Sequence, residues 1–71
     1  MTTYQTADRA IQAYDAFIFA AVGRAFDADK ADLLALYAAE DCRVAAQDRT
    51  MNATTRNYYR ERAAEFTAIC A

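Results

Sequence analysis

The side chains of this sequence that could do chemistry are carboxylates, arginines, tyrosines and two thiols. Ten Asp and Glu stand against eight Lys and Arg, and there is no histidine and no serine. That excludes a Ser/His triad or a Cys/His pair, and it removes the imidazole that would serve as a general base near neutral pH. A metal site would have to be built from carboxylates or from Cys42 and Cys70 alone. Asp27, Asp29 and Asp32 have the spacing of the start of a cation loop, but the turn glycine and the closing bidentate glutamate are missing, and helix capping accounts for them better. Glu40 and Asp41 with Asp48, or Glu61 with Glu65, are paired carboxylates of the kind used in acid–base work. With no pocket or raised pKa suggested nearby, a solvated surface is the expected role for both groups. The expectation is therefore no enzymatic activity, no cofactor and no metal.

Arg56-Asn57-Tyr58-Tyr59-Arg60-Glu61-Arg62 sets aromatics among arginines. Arginine can contact phosphate and tyrosine can stack on a base, which raises nucleic-acid binding. Against it, helical spacing turns Tyr59 into an apolar stripe, and the whole chain is acidic, whereas a typical nucleic-acid module is basic. Direct nucleic-acid binding is not expected. Asn52-Ala53-Thr54 fits a glycosylation sequon, which matters only in a secreted protein. Met1-Thr2-Thr3-Tyr4 lacks the basic and apolar regions of a signal peptide, so a cytoplasmic, reducing setting with free thiols is expected. No apolar run is long enough for a membrane span, because Asp8, Asp15 and Arg24 interrupt the most apolar stretch.

These residues must be positioned by very little. In 71 residues, 19 are alanine and only eight are Ile, Leu or Val, so the 56% hydrophobic fraction overstates what can be buried. A single core below about 70–80 residues rarely yields more than about 3–5 kcal/mol, so self-association is expected to help. Ala, Leu, Arg and Glu favour helix and nothing alternates with period two. The chain reads as one all-α domain over residues 1–71, a small three-helix bundle assembled as a homodimer, with helices over about 4–25, 30–48 and 55–69.

In the first helix Ala7, Ile11, Tyr14, Ile18, Ala21/Val22 and Ala25 form one apolar stripe. Phe19 and Phe26 lie on a second with Ala16 and Gly23, which assigns Phe19, Phe26 and Ala16 to self-association. Either Asp27 or Asp29 can cap the next helix. In that helix Leu33, Tyr37 and Val44 make a narrow stripe bordered by Glu40, Asp41, Gln47 and Asp48. The opposite arc of Ala35, Ala38, Ala39, Cys42, Ala45 and Ala46 is small enough to be a tight helix–helix seam, with Cys42 as a buried small hydrophobe. From Arg49 to Thr55 the apolar pattern lapses and cap candidates appear, so a turn is expected there, a continuous helix being the other possibility. The last helix places Tyr59, Ala63, Phe66 and Cys70 on one stripe.

Charge is uneven. Residues 1–42 hold seven acids against three bases, a net of −4, while residues 43–62 hold five arginines against two acids, a net of +3. Such polarity suits an acidic face meeting a basic partner, although two ordinary solvated helix faces would give the same pattern. The Ala- and Arg-rich, Lys-poor composition points to a GC-rich bacterial or phage genome.

Leu33-Leu34-Ala35-Leu36-Tyr37-Ala38-Ala39-Glu40-Asp41-Cys42-Arg43-Val44-Ala45 resembles the central helix of the small Hha/YmoA modulators of haemolysin expression: a tyrosine before an Ala-rich turn, an Asp-x-Arg pair and an apolar-Ala pair. The likeness runs without a gap back through Phe26, Asp15, Gln12 and Arg9 and covers about half the chain; Thr50-Met51-Asn52 joins it if two residues are inserted before them. The resemblance implies a non-catalytic all-α protein that binds the oligomerisation domain of H-NS-type nucleoid proteins. Asp41 matches the aspartate that the family uses at that contact, with Arg43 beside it. Glu40 and Asp48 complete the expected partner-binding set. The family is more basic and ends in an aromatic, lysine-containing segment, whereas this chain ends Ala68-Ile69-Cys70-Ala71, so DNA-contacting residues do not carry over. Two other readings compete: a phage or mobile-element inhibitor of anti-CRISPR kind that presents an acidic surface to a nucleic-acid-binding complex, and a structural subunit that only forms an oligomer.

Overall fold

In the computed structural model, which describes residues 1–21 and 26–70, the chain forms three α-helices. They are α1 (Thr3–Ala20), α2 (Ala28–Ala46) and α3 (Ala53–Cys70), and no strand occurs among the described residues. Each helix begins where a side chain can satisfy an orphan N–H. At α1 the Thr2 hydroxyl accepts from the Gln5 N–H while the Gln5 side chain accepts from the Thr2 N–H, a capping box. Asp27 caps α2 by accepting from the Lys30 N–H at 3.0 Å. Asn52 accepts from the Thr55 N–H at 2.8 Å at the start of α3.

These caps shift the expected bounds. Helix α2 starts at Ala28 rather than Lys30 because Asp27, not Asp29, is the cap. It stops at Ala46, two residues before Asp48, whose carboxylate takes up the Thr50 N–H and hydroxyl and holds a turn. The segment after Arg49 is thus a turn, not continuous helix, and α3 starts at Ala53 instead of Thr55. Helix α1 ends at Ala20 with Ala21 as its C-cap, short of Ala25. The expectations placed on Val22, Gly23 and Ala25 fall outside the described residues.

The small arc of α2 is the centre of the core. Ala35, Ala38, Cys42 and Ala45 are completely buried, and Ala39 and Ala46 nearly so. Side chains this short let α1 and α3 approach the α2 backbone closely. Ala7 and Ile11 of α1 and Tyr59 and Phe66 of α3 close the cluster, and the Tyr14 ring meets Phe66 edge-on at 5.2 Å. The core therefore owes its apolar bulk to three large side chains, Ile11, Tyr59 and Phe66, and its shape to alanines.

Candidate functional surface on the second helix

A lone three-helix bundle normally turns its large apolar residues inward and its small or polar ones outward. Helix α2 is the reverse. With its alanines inside, Leu33, Leu36, Tyr37 and Val44 are left 46, 53, 53 and 45% exposed along its outer face. Glu40 lies among them, and Arg43 donates to its carboxylate one turn on. Both partners of that ion pair are more than half exposed, so it orients the two side chains without adding much stability. The outer face is a ridge of four large apolar side chains with an acid and a base fixed upon it.

Asp41 sits on the shoulder of this ridge. It is half-buried and lines a hollow of about 330 Å³ between α1 and α2, walled by Ala10, Ala13, Leu34 and Tyr37, with Arg9 also lining it. Mostly apolar walls carrying one carboxylate and one guanidinium suit an apolar side chain flanked by a polar or charged group.

Of the four residues assigned to partner binding, the structure places Glu40, Asp41 and Arg43 on or beside one face. Asp48 is used inside the molecule. It accepts from the Thr3 hydroxyl, tying the start of α1 to the turn after α2, and from the Thr50 N–H at 2.9 Å and the Thr50 hydroxyl at 2.7 Å. The Thr3 bond first, and then the two from Thr50, hold its carboxyl below the ordinary aspartate value.

The residues assigned to self-association are exposed: Ala16, Phe19 at 83% and Phe26 at 56%. Phe26 packs at 6.2 Å on Phe17, and the Lys30 ammonium lies 5.2 Å from the centre of the Phe17 ring. The Arg/Tyr segment of α3 is split. Tyr59 is buried, Arg62 stacks 4.9 Å over Phe66 and pairs with Glu65, and Arg60 donates to Asn57. Only Tyr58 and Arg60 of that segment combine an aromatic or basic group with an exposed position, too little for a stacking platform.

Asp27 caps α2, while Asp29 and Asp32 stand exposed in and beside its first turn, where the helix dipole favours them. Among the described residues no group of three His, Cys, Asp or Glu could hold a metal ion. Among the described residues no helix is long and apolar enough to cross a membrane. Both cysteines are free thiols. Burial pushes Cys42 up to about 11, far from a reactive thiolate.

The sequence reading missed Leu36 as part of the outer stripe, although it follows Leu33 at a three-residue step, and it missed the Arg9–Asp41 hollow. No family model matches the chain, and no curated protein or solved structure matches it either.

Proposed function

We propose that this chain is a non-catalytic protein that acts by binding other proteins, and that α2 is the element through which it does so. The observation that carries the reading is the inversion of α2: Leu33, Leu36, Tyr37 and Val44 face solvent while alanines fill the core. Large apolar side chains gathered on one exposed face mark an interaction surface. A helix offering anchors at i, i+3, i+4 and i+11 is a usual form of one. The Arg9–Asp41 hollow beside the ridge is where a heterologous partner would set an anchoring side chain. That fits the role the Hha/YmoA resemblance gives Asp41, and an H-NS-type oligomerisation domain in a bacterial cytoplasm is the partner we favour.

Homodimerisation belongs to the same reading. Two exposed apolar patches are available to a second copy, the Ala16, Phe19 and Phe26 group and the α2 ridge. The acidic-inhibitor reading gains less support, because the acids of α2 are interleaved with Lys30 and Arg43 rather than forming one contiguous acidic face.

The test is capture from a nuclease-treated host lysate at moderate salt by the tagged wild type, Asp41→Asn and Leu36→Glu, with each captured protein identified and then titrated in pure form. The expected result is an H-NS-type protein whose retention falls at least about tenfold with Asp41→Asn. Equal capture by all three would overturn the reading.

A further inference from the structure

We infer that the α2 ridge is covered by the same ridge of a second copy, packed antiparallel about a two-fold axis passing at the height between residues 38 and 39. The inference rests on the reading of α2 as the binding helix, and it says which protein covers that helix.

Leu33, Tyr37, Glu40 and Val44 follow one another at steps of four, three and four residues, the interval of a helix–helix seam, and all four are exposed. Reversing α2 about the midpoint between residues 38 and 39 sets Leu33 at the height of the second copy's Val44, and Val44 at that of its Leu33. Leu36 and Tyr37 flank the axis. A two-fold pair buries eight large apolar side chains along a helix about 28 Å long. The stems of Glu40 and Arg43 cover the flanks and add to that contact, against the roughly 1,000 Å² a specific interface needs.

Glu40 and the helix dipole set the direction. A parallel pair would bring Glu40 onto Glu40 in the middle of the seam and align the two helix dipoles. The antiparallel pair sets each Glu40 at the height of the second copy's Leu36 and Tyr37, whose hydroxyl can donate to it. At 100° per residue Asp32, Leu36 and Arg43 lie along one flank of the ridge, with Lys30, Tyr37 and Asp41 along the other. An antiparallel two-fold brings each flank against the same flank of the other copy. Arg43 thereby meets the second copy's Asp32, and the pair is made twice. The Arg9–Asp41 hollow shares Tyr37 with the ridge, while its walls from Arg9, Ala10 and Ala13 belong to α1 and lie outside the ridge.

The experiment is the mass of the purified protein by sedimentation over a hundredfold range of concentration, with helicity recorded for each variant. The wild type is expected to be a dimer, Leu36→Glu a folded monomer, and Phe19→Glu a dimer. Arg43→Asp and Asp32→Arg should each weaken the dimer at least about tenfold, and the two together should restore it to within about threefold. In a parallel pair the same double variant would face Asp with Asp and Arg with Lys, so no restoration would follow. A monomeric wild type, a dimer lost with Phe19→Glu and kept with Leu36→Glu, or a double variant no better than the singles would each overturn the inference. A monomer whose partner capture still falls with Asp41→Asn removes the second copy alone and leaves the wider reading of α2 in place.

Discussion

The Tyr59 hydroxyl donates to an Asp8 carboxylate oxygen at 2.6 Å, joining α3 to α1 across 51 positions of sequence. Both helices pack mainly on α2, so this bond and the Tyr14–Phe66 contact are direct ties between the outer pair. The ring of Tyr59 is buried and fixed, while Asp8 keeps some contact with water. Tyr59→Phe should therefore keep the packing and lose the bond, lowering stability in urea by about 1 kcal/mol. Asp8→Asn keeps an acceptor oxygen and should cost less. An equal or larger loss in Asp8→Asn would mean that the bond depends on the charge.

Asp48 makes the second long-range tie, through the Thr3 hydroxyl, 45 positions away. Its carboxyl is held below the usual 3.8 by that bond and by Thr50. A lowered folded value means stability that is present above about pH 4 and lost as pH falls through the lower value, because the unfolded chain takes up the proton first. Asp48→Asn should show a shallower acid limb than the wild type. At pH 7, Asp48→Ala should speed amide exchange in the first turns of α1, while α3 keeps its protection.

Cys42 gives the opposite sign. Burial raises its thiol from 9.0 to about 11, so between those values the unfolded chain releases a proton that the folded chain retains. That part of the stability is complete below pH 9 and falls as pH rises toward about 11. Tyr59, also raised by burial and then by Asp8, adds to the fall from about pH 10. Urea midpoints should therefore begin to drop near pH 9 in the wild type and near pH 10 in Cys42→Ala. At pH 8 a thiol reagent should modify the half-buried Cys70 in the folded protein and Cys42 only on unfolding. Two rapidly reacting thiols would contradict this placement of Cys42.

The periodic parts of this fold were legible in the sequence. The arc from Ala35 to Ala46 reads as a close seam because only small side chains recur there, and the stripe of Tyr59, Ala63, Phe66 and Cys70 reads as a buried edge; the structure buries or half-buries each of them. Helix limits were less legible. Asp27 and Asp29, or Asn52, Thr54 and Thr55, are all competent caps within a few residues, and tertiary position selects among them. The Asp8–Tyr59 and Thr3–Asp48 bonds have no periodic signal, because they link residues whose proximity exists only after the helices pack. Reading Asp48 as a free surface carboxylate followed from the same blindness. The Arg9–Asp41 hollow was invisible for that reason also, since its walls come from two helices.

The inversion of α2 predicts an inversion of mutational tolerance. Ala38 is completely buried where α2 meets its neighbours, so Ala38→Leu must push helices apart or force strained rotamers, at a cost of about 1–3 kcal/mol. Leu36 is half exposed, and Leu36→Ala in dilute solution, where self-association is absent, should change stability by no more than about 0.5 kcal/mol. In most helices the removal of a leucine is the damaging change and the enlargement of an alanine the mild one. Urea titrations of both variants at low protein concentration decide the matter. A large loss in Leu36→Ala with tolerance of Ala38→Leu would show that α2 packs by its leucine side, which would remove the exposed ridge on which the binding function rests.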